Sequence, residues 1–420
     1  MKILVTGPIA ETHFLCELLL EDPTVEIVYH CGANHSLTKT DRYIPVHLVD
    51  GEQYKILDLI NTVKFDLVVP IGLNYLFWKD FETTCDDRGI PLLMPRNGLG
   101  WLEWRKSKTK ELLTTLGIPS PRYKVYSREM LINNFFHIKR PFVVKLNADS
   151  LSGFQTVVIT DDNFKEEHKK FVERPFVRNH DLFDKSSPLY FTIEEFIPGG
   201  SSKEISYHAL CNEKNWQYVG SVRDYKKRYE GDIGFNTAST GCYGPVNNVD
   251  PIIHEYADKI ISYLKSVGKP YVGFLYLGII ISPSGVPMIL EINTRPGTPE
   301  IIPILLGIKN NIAELLYAAA TNAVIPPIEH NDKQIVSIRL INKNYTLENV
   351  LNPTGDTIFP KLPDDDELYI NVGPITMPMT GGNVTATAST IDEASDKIYT
   401  YLQDLDLCDF TYRTDIGYLK

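Results

Sequence analysis

Cysteine pairs are missing from this chain. Its six cysteines stand at 16, 31, 85, 211, 242 and 408, and no two make a Cys-x-x-Cys or join histidines at a zinc-site spacing. That excludes a zinc ribbon or finger and leaves reduced thiols filling small gaps, as in the cytosol. Long apolar runs are missing too: none reaches the ~18 residues of a membrane span. The stretch MKILVTGPIAETHFLCELLL (1–20) is cut by Gly7, Pro8, Glu11 and His13, and no small-residue cleavage site follows it. A cytoplasmic protein without membrane partners is expected. Positive charge is scarce: 42 Lys and Arg against 53 Asp and Glu give a net charge of −11, which argues against nucleic acid as a partner. Glycine is scarce after the first apolar run. A dinucleotide-binding turn reads G-x-G-x-x-G, whereas GPIAET (7–12) holds one glycine, which disfavours a nicotinamide enzyme. There is no internal repeat.

What is present is an ordinary globular composition, 43% hydrophobic and 23% charged over 420 residues, enough for two to four domains. KILVTG (2–7) followed by a helical pattern through Leu20, the strand VEIVYHCG (25–32) and a helix-then-strand pattern at 54–72 predict a parallel, Rossmann-like sheet over about the first hundred residues. The next helix, beginning at Lys106, is stopped by Gly117 with Pro119 beyond. Strands are expected at 140–146, 157–160 and 189–197, with a polar helical segment between them. GFLYLGIIIS (273–282) and PMILEIN (287–293) read as a hairpin with Pro-Ser-Gly at its tip. Past Pro326 short β-rich runs precede a helix over 389–405, where Thr390 and Glu393 make a capping box. The acid run at 364–367 reads as a solvated turn.

Four features carry chemistry. Glu291 and Asn293, two apart near a strand end, share one face. The pair reads equally as two hard oxygen donors for Mg²⁺ or Mn²⁺ and as a polar strand end facing solvent. Lys145 ends the apolar run Phe-Val-Val; it is either a phosphate cation or a snorkelling surface lysine. The segment Glu194-Glu195-Phe196 offers backbone groups that an adenine edge can use. The stretch EGDIGFNTASTGCYGP (230–245) has four glycines and almost no apolar content, and it follows Arg223, Lys226, Lys227 and Arg228. Bare backbone N–H groups beside cations suit a phosphate or acyl-phosphate; the bland reading is a solvated flap.

In this order the pieces resemble the ATP-grasp ligases, and among them the glycinamide ribonucleotide synthetase (phosphoribosylamine–glycine ligase) family. The resemblance runs almost end to end and is most specific at 224–245, 271–300, 102–121 and the tail segments 381–389 and 412–417. It implies an α/β and α+β chain: an N-terminal Rossmann-like domain (1–104), an ATP-grasp domain (105–325, with a lid at about 124–190) and a small β-rich C-terminal domain (326–420). It implies Lys106 and Lys145 at the nucleotide, Glu194, Glu195 and Ile197 at the adenine hinge, and Glu204 at the ribose. It further implies Glu291 and Asn293 on the metal, Arg295 beside the acyl-phosphate, and Asp232 and Asn236 in the substrate loop. ATP, with Mg²⁺ or Mn²⁺, would join an amino acid such as glycine to an amine such as phosphoribosylamine, in a monomer or weak dimer.

The departures cluster on the amine side. Where the family has Gly-Gly-Arg-Glu-His, residues 9–13 read IAETH, and only His13 is kept. Gly-Pro-Glu becomes IGL at 71–73, the lid segment 147–157 keeps one glycine with Phe154 in place of a lysine, and a Gly-Gly pair becomes Ala238-Ser239. Pro296 and Thr298 replace a Phe and an Asp. The resulting expectation is amide formation through an acyl-phosphate, in the resembled family or in a relative with a different acceptor, with a non-catalytic ATP-binding relative as the remaining alternative.

Overall fold

The computed structural model describes residues 1–7, 9–32, 40–48, 52, 54–71, 75–147, 156–173, 190–199, 203–246, 249–346, 357–372 and 380–418, with backbone only at 75–79 and 372. Most of the lid segment 147–157, residues 72–73 and Gly200 lie outside them.

The chain opens with β1 (Lys2–Thr6), α1 (Ala10–Glu21), β2 (Ile27–Cys31), β3 (Tyr43–Val46), α2 (Tyr54–Thr62), β4 (Leu67–Pro70) and α3 (Tyr75–Asp87). The four strands form a wholly parallel sheet in the order β3-β2-β1-β4. Alternation along β1 sends Ile3 and Val5 into a core with Phe14 and Leu19 of α1, and Leu4 into a second core with Ile56, Ile60 and Phe81. Both faces are covered, so the strands read as continuous apolar runs. The strand order reverses between β1 and β4, where an open α/β sheet leaves a crevice at its carboxyl ends. Gly7 sits there because a Cβ would lie 2.4 Å from the Ile71 carbonyl oxygen.

Helices α4 (Trp101–Trp104) and α5 (Lys106–Thr115) lead into a second sheet built from β5 (Tyr123–Ser127), β6 (Phe142–Leu146), β7 (Thr156–Ile159) and β8 (Tyr190–Glu195). Its order is β5-β8-β6-β7, all antiparallel, and α6 (Arg128–Asn134) and α7 (Phe164–Glu173) accompany it. It has its own small core around Phe135, Phe142, Phe171 and Phe191.

Among the described residues the largest sheet has nine strands. It uses β9 (Glu204–Cys211), β10 (Trp216–Asp224), β13 (Gly241–Gly244), β14 (Gly273–Ile281), β15 (Pro287–Asn293), β16 (Gln334–Asn342), β17 (Leu368–Val372), β18 (Thr380–Ala388) and β19 (Phe410–Thr411), while β11 (Lys227–Tyr229) and β12 (Ile233–Asn236) form a separate ribbon. The order is β15-β14-β9-β10-β13-β16-β18-β17, with β19 on β16. The β13–β16 pairing carries the sheet across the position where the sequence suggests a boundary, near residue 325. The expected hairpin is present as β14–β15.

Among the described residues four further α-helices complete the fold: α8 (Pro251–Ser266), α9 (Ile301–Leu306), α10 (Ile312–Ala320) and α11 (Ile391–Leu402). Helix α8 starts at Asp250, whose side chain accepts from Ile252 N, with Pro251 in the first turn. Its buried Ile253, Tyr256, Ala257, Ile260 and Leu264 form one stripe packed on Tyr207, Leu275 and Leu277. Among the described residues no helix is long and apolar enough to cross a membrane, and all six cysteines are free thiols.

The capping box at α11 forms as expected: Glu393 N donates to Thr390 Oγ1 at 3.2 Å, and Thr390 N donates to the Glu393 carboxylate at 3.2 Å. Thr390→Ala is expected to cost about 1 kcal/mol, read as a lower urea midpoint at unchanged slope.

Candidate active site

Strand β15 ends Leu290-Glu291-Ile292-Asn293. Ile292 is buried in the core, while Glu291 and Asn293 share the other face, with Asn293 Nδ2 donating to Glu291 Oε1 at 3.4 Å. Three lysines converge on this edge. Lys106, the first residue of α5, brings Nζ to 3.6 Å from Glu291 Oε2. Lys145 of β6 donates to Leu290 O at 3.1 Å and lies 2.9 Å from Glu194 Oε2. Lys110, one turn along α5, reaches the same Glu194 oxygen at 3.4 Å and Ile289 O at 3.4 Å.

Lys110 and Glu194 are each 2% exposed and lie against each other, the pairing a buried ion needs. Burial draws the Lys110 ammonium down to about 8, with Glu194 opposing and Lys145 adding to the shift. Burial would raise the Glu291 carboxyl, but Lys106, Lys226 and Lys145, with the Asn293 amide, hold it far below the usual carboxylate range. Glu291 is therefore an ionised oxygen donor at neutral pH. The other Glu194 oxygen, Oε1, is buried with no hydrogen-bond partner among the described residues. Among them, too, no three His, Cys, Asp or Glu side chains form a metal cluster. Glu291 and Asn293 are thus a two-oxygen site that suits a hard divalent ion completed by phosphate oxygens and water.

Glu204 opens β9 and lies 3.8 Å from Lys226 Nζ, at the root of the 230–245 stretch. Beneath Lys226 is a buried acidic pair. Asp224 closes β10 and accepts from Ser239 Oγ; Glu300 precedes α9. Burial, then the Asp224 charge, push the Glu300 carboxyl up to about 8. Gly297 is glycine because a Cβ there would sit 2.5 Å from the Glu300 carboxyl carbon.

Arg295 Nε donates to Glu103 Oε1 at 3.1 Å, and Glu103 Oε2 accepts from Thr294 N and Oγ1 at 3.0 and 3.1 Å. Gly297 N donates to His208 Nε2 at 3.1 Å. Burial and the Arg295 charge pull His208 down to about 3, so it stays neutral and can accept. Arg295 and Thr294 also line a small cavity with Val69, Ile71, Met94 and Phe274, which joins the carboxyl end of β4 to the arginine.

The expected residues divide into two groups. Lys106, Lys145, Glu194, Glu291 and Asn293 meet directly, and Lys226 links them to Glu204. The rest stand apart. The Glu195 carboxylate turns to Arg122, accepting from its backbone N at 2.9 Å and Nε at 2.8 Å, and Ile197 is half-buried in the extended segment after β8. Asp232 lies 3.2 Å from Arg413, and Asn236 pairs with Lys227 across the β11–β12 ribbon. Sequence reasoning passed over Lys110, Glu103, Asp224 and Glu300. Lys110 had a usable signal, since it follows Lys106 by four residues on one helix and so shares its face.

The folded protein holds the Glu300 proton up to about 8, whereas an ordinary glutamate releases it near 4.5. Between those values the folded state binds more protons, so the Glu300 contribution to stability is full below about 4.5 and falls as pH rises toward 8. Glu300→Gln should flatten that fall, as read from melting temperatures across the range; an unchanged slope assigns the effect elsewhere.

Comparison with known proteins shows what the chain is similar to. Residues 105–301 match the family described as phosphoribosylglycinamide synthetase, ATP-grasp (A) domain. A phosphoribosylamine–glycine ligase of Streptococcus pneumoniae serotype 4 is 29% identical over 446 residues, 99% of each chain, and one of Streptomyces coelicolor is 27% identical over 442 residues, again 99% of each. The crystal structure of phosphoribosylamine–glycine ligase from Thermotoga maritima superposes with a TM-score of 0.75 at 23% identity, covering 99% of this chain and 100% of that one, and shares the fold. The chain has an ATP-grasp fold and resembles the phosphoribosylamine–glycine ligases along its whole length.

Proposed function

We propose that this chain is an ATP-dependent carboxylate–amine ligase that joins glycine to phosphoribosylamine through an acyl-phosphate, releasing ADP and phosphate. The observation that carries the reading is the meeting of Lys106, Lys145 and Glu291 between the β5–β8 sheet and the end of β15. A carboxylate is a poor acyl donor because its leaving group would be oxide. In the first step a carboxylate oxygen attacks the γ-phosphorus of ATP and the bond to ADP breaks. In the second the amine nitrogen attacks the acyl carbon, phosphate leaves, and the nitrogen gives up a proton.

Phosphoryl transfer needs position and charge neutralisation more than covalent help. Lys106 and Lys145 neutralise phosphate oxygens, and Arg295 serves the acyl-phosphate. Glu291 and Asn293 would hold Mg²⁺ or Mn²⁺, which supplies further neutralisation between phosphates when bound. The lysines are paired with Glu194 and Glu291. They stay desolvated and oriented, so little reorganisation is needed when phosphates arrive. Glu194, Glu195 and Ile197 serve the adenine and Glu204 the ribose. The β5–β8 sheet is the lid of the 105–325 domain, and its closure keeps water from the acyl-phosphate. Asp232 and Asn236 shape the substrate loop. The setting is the cytoplasm.

A second reading keeps this chemistry and changes the amine. It is favoured by Glu11, 1% exposed in the first turn of α1, which is ion-paired with Arg339.

The deciding assay measures ADP release from Mg²⁺, ATP and glycine, with and without freshly made phosphoribosylamine, with the product identified by mass. Glycinamide ribonucleotide is the expected product. ADP formed only with another amine would select the second reading, and no ADP despite ATP binding would indicate a non-catalytic relative. Glu291→Ala should abolish ADP formation. Lys145→Ala should lose about two decades in kcat, the scale of one preorganised charge; wild-type rates in either variant remove that residue from the site.

A further inference from the structure

The C-terminal segment Arg413-Thr414-Asp415 grips the substrate loop at several points. Arg413, whose side chain is 2% exposed, donates Nη1 to Lys227 O at 3.0 Å and to Asp232 Oδ1 at 3.2 Å. Its guanidinium lies over the Tyr225 ring at 5.1 Å. Asp415 orients it through two 2.7 Å bonds, Nε to Oδ1 and Nη2 to Oδ2, and also accepts from Gly231 N at 2.9 Å. Thr414 Oγ1 donates to Glu230 Oε1 at 2.5 Å.

These contacts bracket one residue. Tyr225 and Lys227, both touched by Arg413, flank Lys226, whose own carbonyl accepts from Thr237 N at 2.6 Å and Oγ1 at 2.9 Å. Lys226 is the cation that joins Glu204 to the Glu291 edge, and burial, which would discharge it, is overcome by Tyr276, Glu291, Glu204 and Asp224. The loop beyond it is bent against preference: Gly231 and Asp232 have φ of +67° and +58°, a left-handed pair that costs a non-glycine residue free energy unless its surroundings fix it. Asp415 holds the first of these residues and Arg413 the second.

We infer that residues 413–415 are a positioning bracket for Lys226 and the 230–236 bend, and that Arg413 is a positioning residue of the ligase reaction. The inference rests on the ligase reading for its effect on turnover and on geometry alone for its effect on the loop. Its consequence is coupling. If Lys226 and the loop hold the acyl-phosphate for the amine, loosening the bracket lets water attack the acyl carbon instead. That returns the carboxylate and phosphate, so ADP forms without amide.

The test uses the full chain with ATP, Mg²⁺, glycine and phosphoribosylamine. Thr414→Val and Arg413→Lys weaken the bracket at its rim and in its fork geometry; Arg413→Ala removes it. The expected result is an ADP-to-amide ratio near one in the wild type and above one in every variant, with KM for ATP within about twofold and kcat/KM for glycine at least about tenfold lower in Arg413→Ala. Added guanidinium should partly restore Arg413→Ala, which a merely misfolded variant would not allow. Hydrogen exchange at amides 227–236 should quicken about tenfold or more in Thr414→Val and Arg413→Lys. Unchanged exchange there overturns the bracket whether or not the wild type turns over. A ratio held at one in variants whose loop is loosened overturns the coupling role. Absence of ADP from the wild type with every amine, alongside quickened exchange, sustains the bracket and removes only the ligase reading.

Discussion

The site depends on one buried carboxylate shared by two lysines. Glu194 belongs to the β5–β8 sheet, Lys110 to α5 and Lys145 to β6, and both lysines also bond backbone carbonyls of β15. Burial disfavours an unpaired charge of either sign. Together they carry a net positive charge into a place that water does not reach. That residual charge is what a polyphosphate needs. The desolvation penalty of burying such a group can exceed the attraction it gains. Its value lies in fixing where Lys145 points, and it ties the second sheet to the large one at the same time.

The acidic counterpart lies one layer further in. Asp224 and Glu300 are both buried, and burial followed by the Asp224 charge raises Glu300, so Glu300 retains its proton in conditions where Glu291 has lost its own. Two carboxylates on adjoining elements thus differ by environment alone: Glu291 faces three lysines, and Glu300 faces another acid. Lys226 sits between them and feels both Glu291 and Asp224. A small displacement of that ammonium changes the charge balance on each side, which is why the backbone flanking it is held so fully.

Much of this was legible in the residues. The alternation of apolar runs with helical patterns revealed the parallel sheet, and two-residue spacing put Glu291 and Asn293 on one face. Thr390 and Glu393 marked a helix start. Helix α8 was overlooked although Asp250, Pro251 and the Ile253–Tyr256–Ile260–Leu264 spacing announce it. The pairs that organise the site were illegible for another reason. Glu103 meets Arg295 across 192 positions, Arg413 meets Asp232 across 181 and Arg339 meets Glu11 across 328. No periodicity reports a partner at that separation. Resemblance named Asp232 as a loop residue, but only the fold reveals that its carboxylate is taken by Arg413.

The Glu11–Arg339 pair bears on the acceptor. All three nitrogens of that guanidinium are used: one on Glu11, one on Ala238 O at 2.8 Å and one on Asn383 Oδ1 at 3.2 Å. Asn383 also donates to Glu11 at 3.0 Å. Helix α1, the 230–245 loop and β18 are thereby locked together at the carboxyl end of β1. The first turn of a helix is positive and attracts anions; here the protein's own carboxylate already answers it. An anionic group entering at that turn would displace no water-exposed charge and would meet a buried glutamate instead. Three of the five Arg339 N–H donors already serve the protein's own groups. The buried Glu11 carboxylate therefore disfavours an anion at this end of the crevice, while the three lysines at the β15 edge favour one.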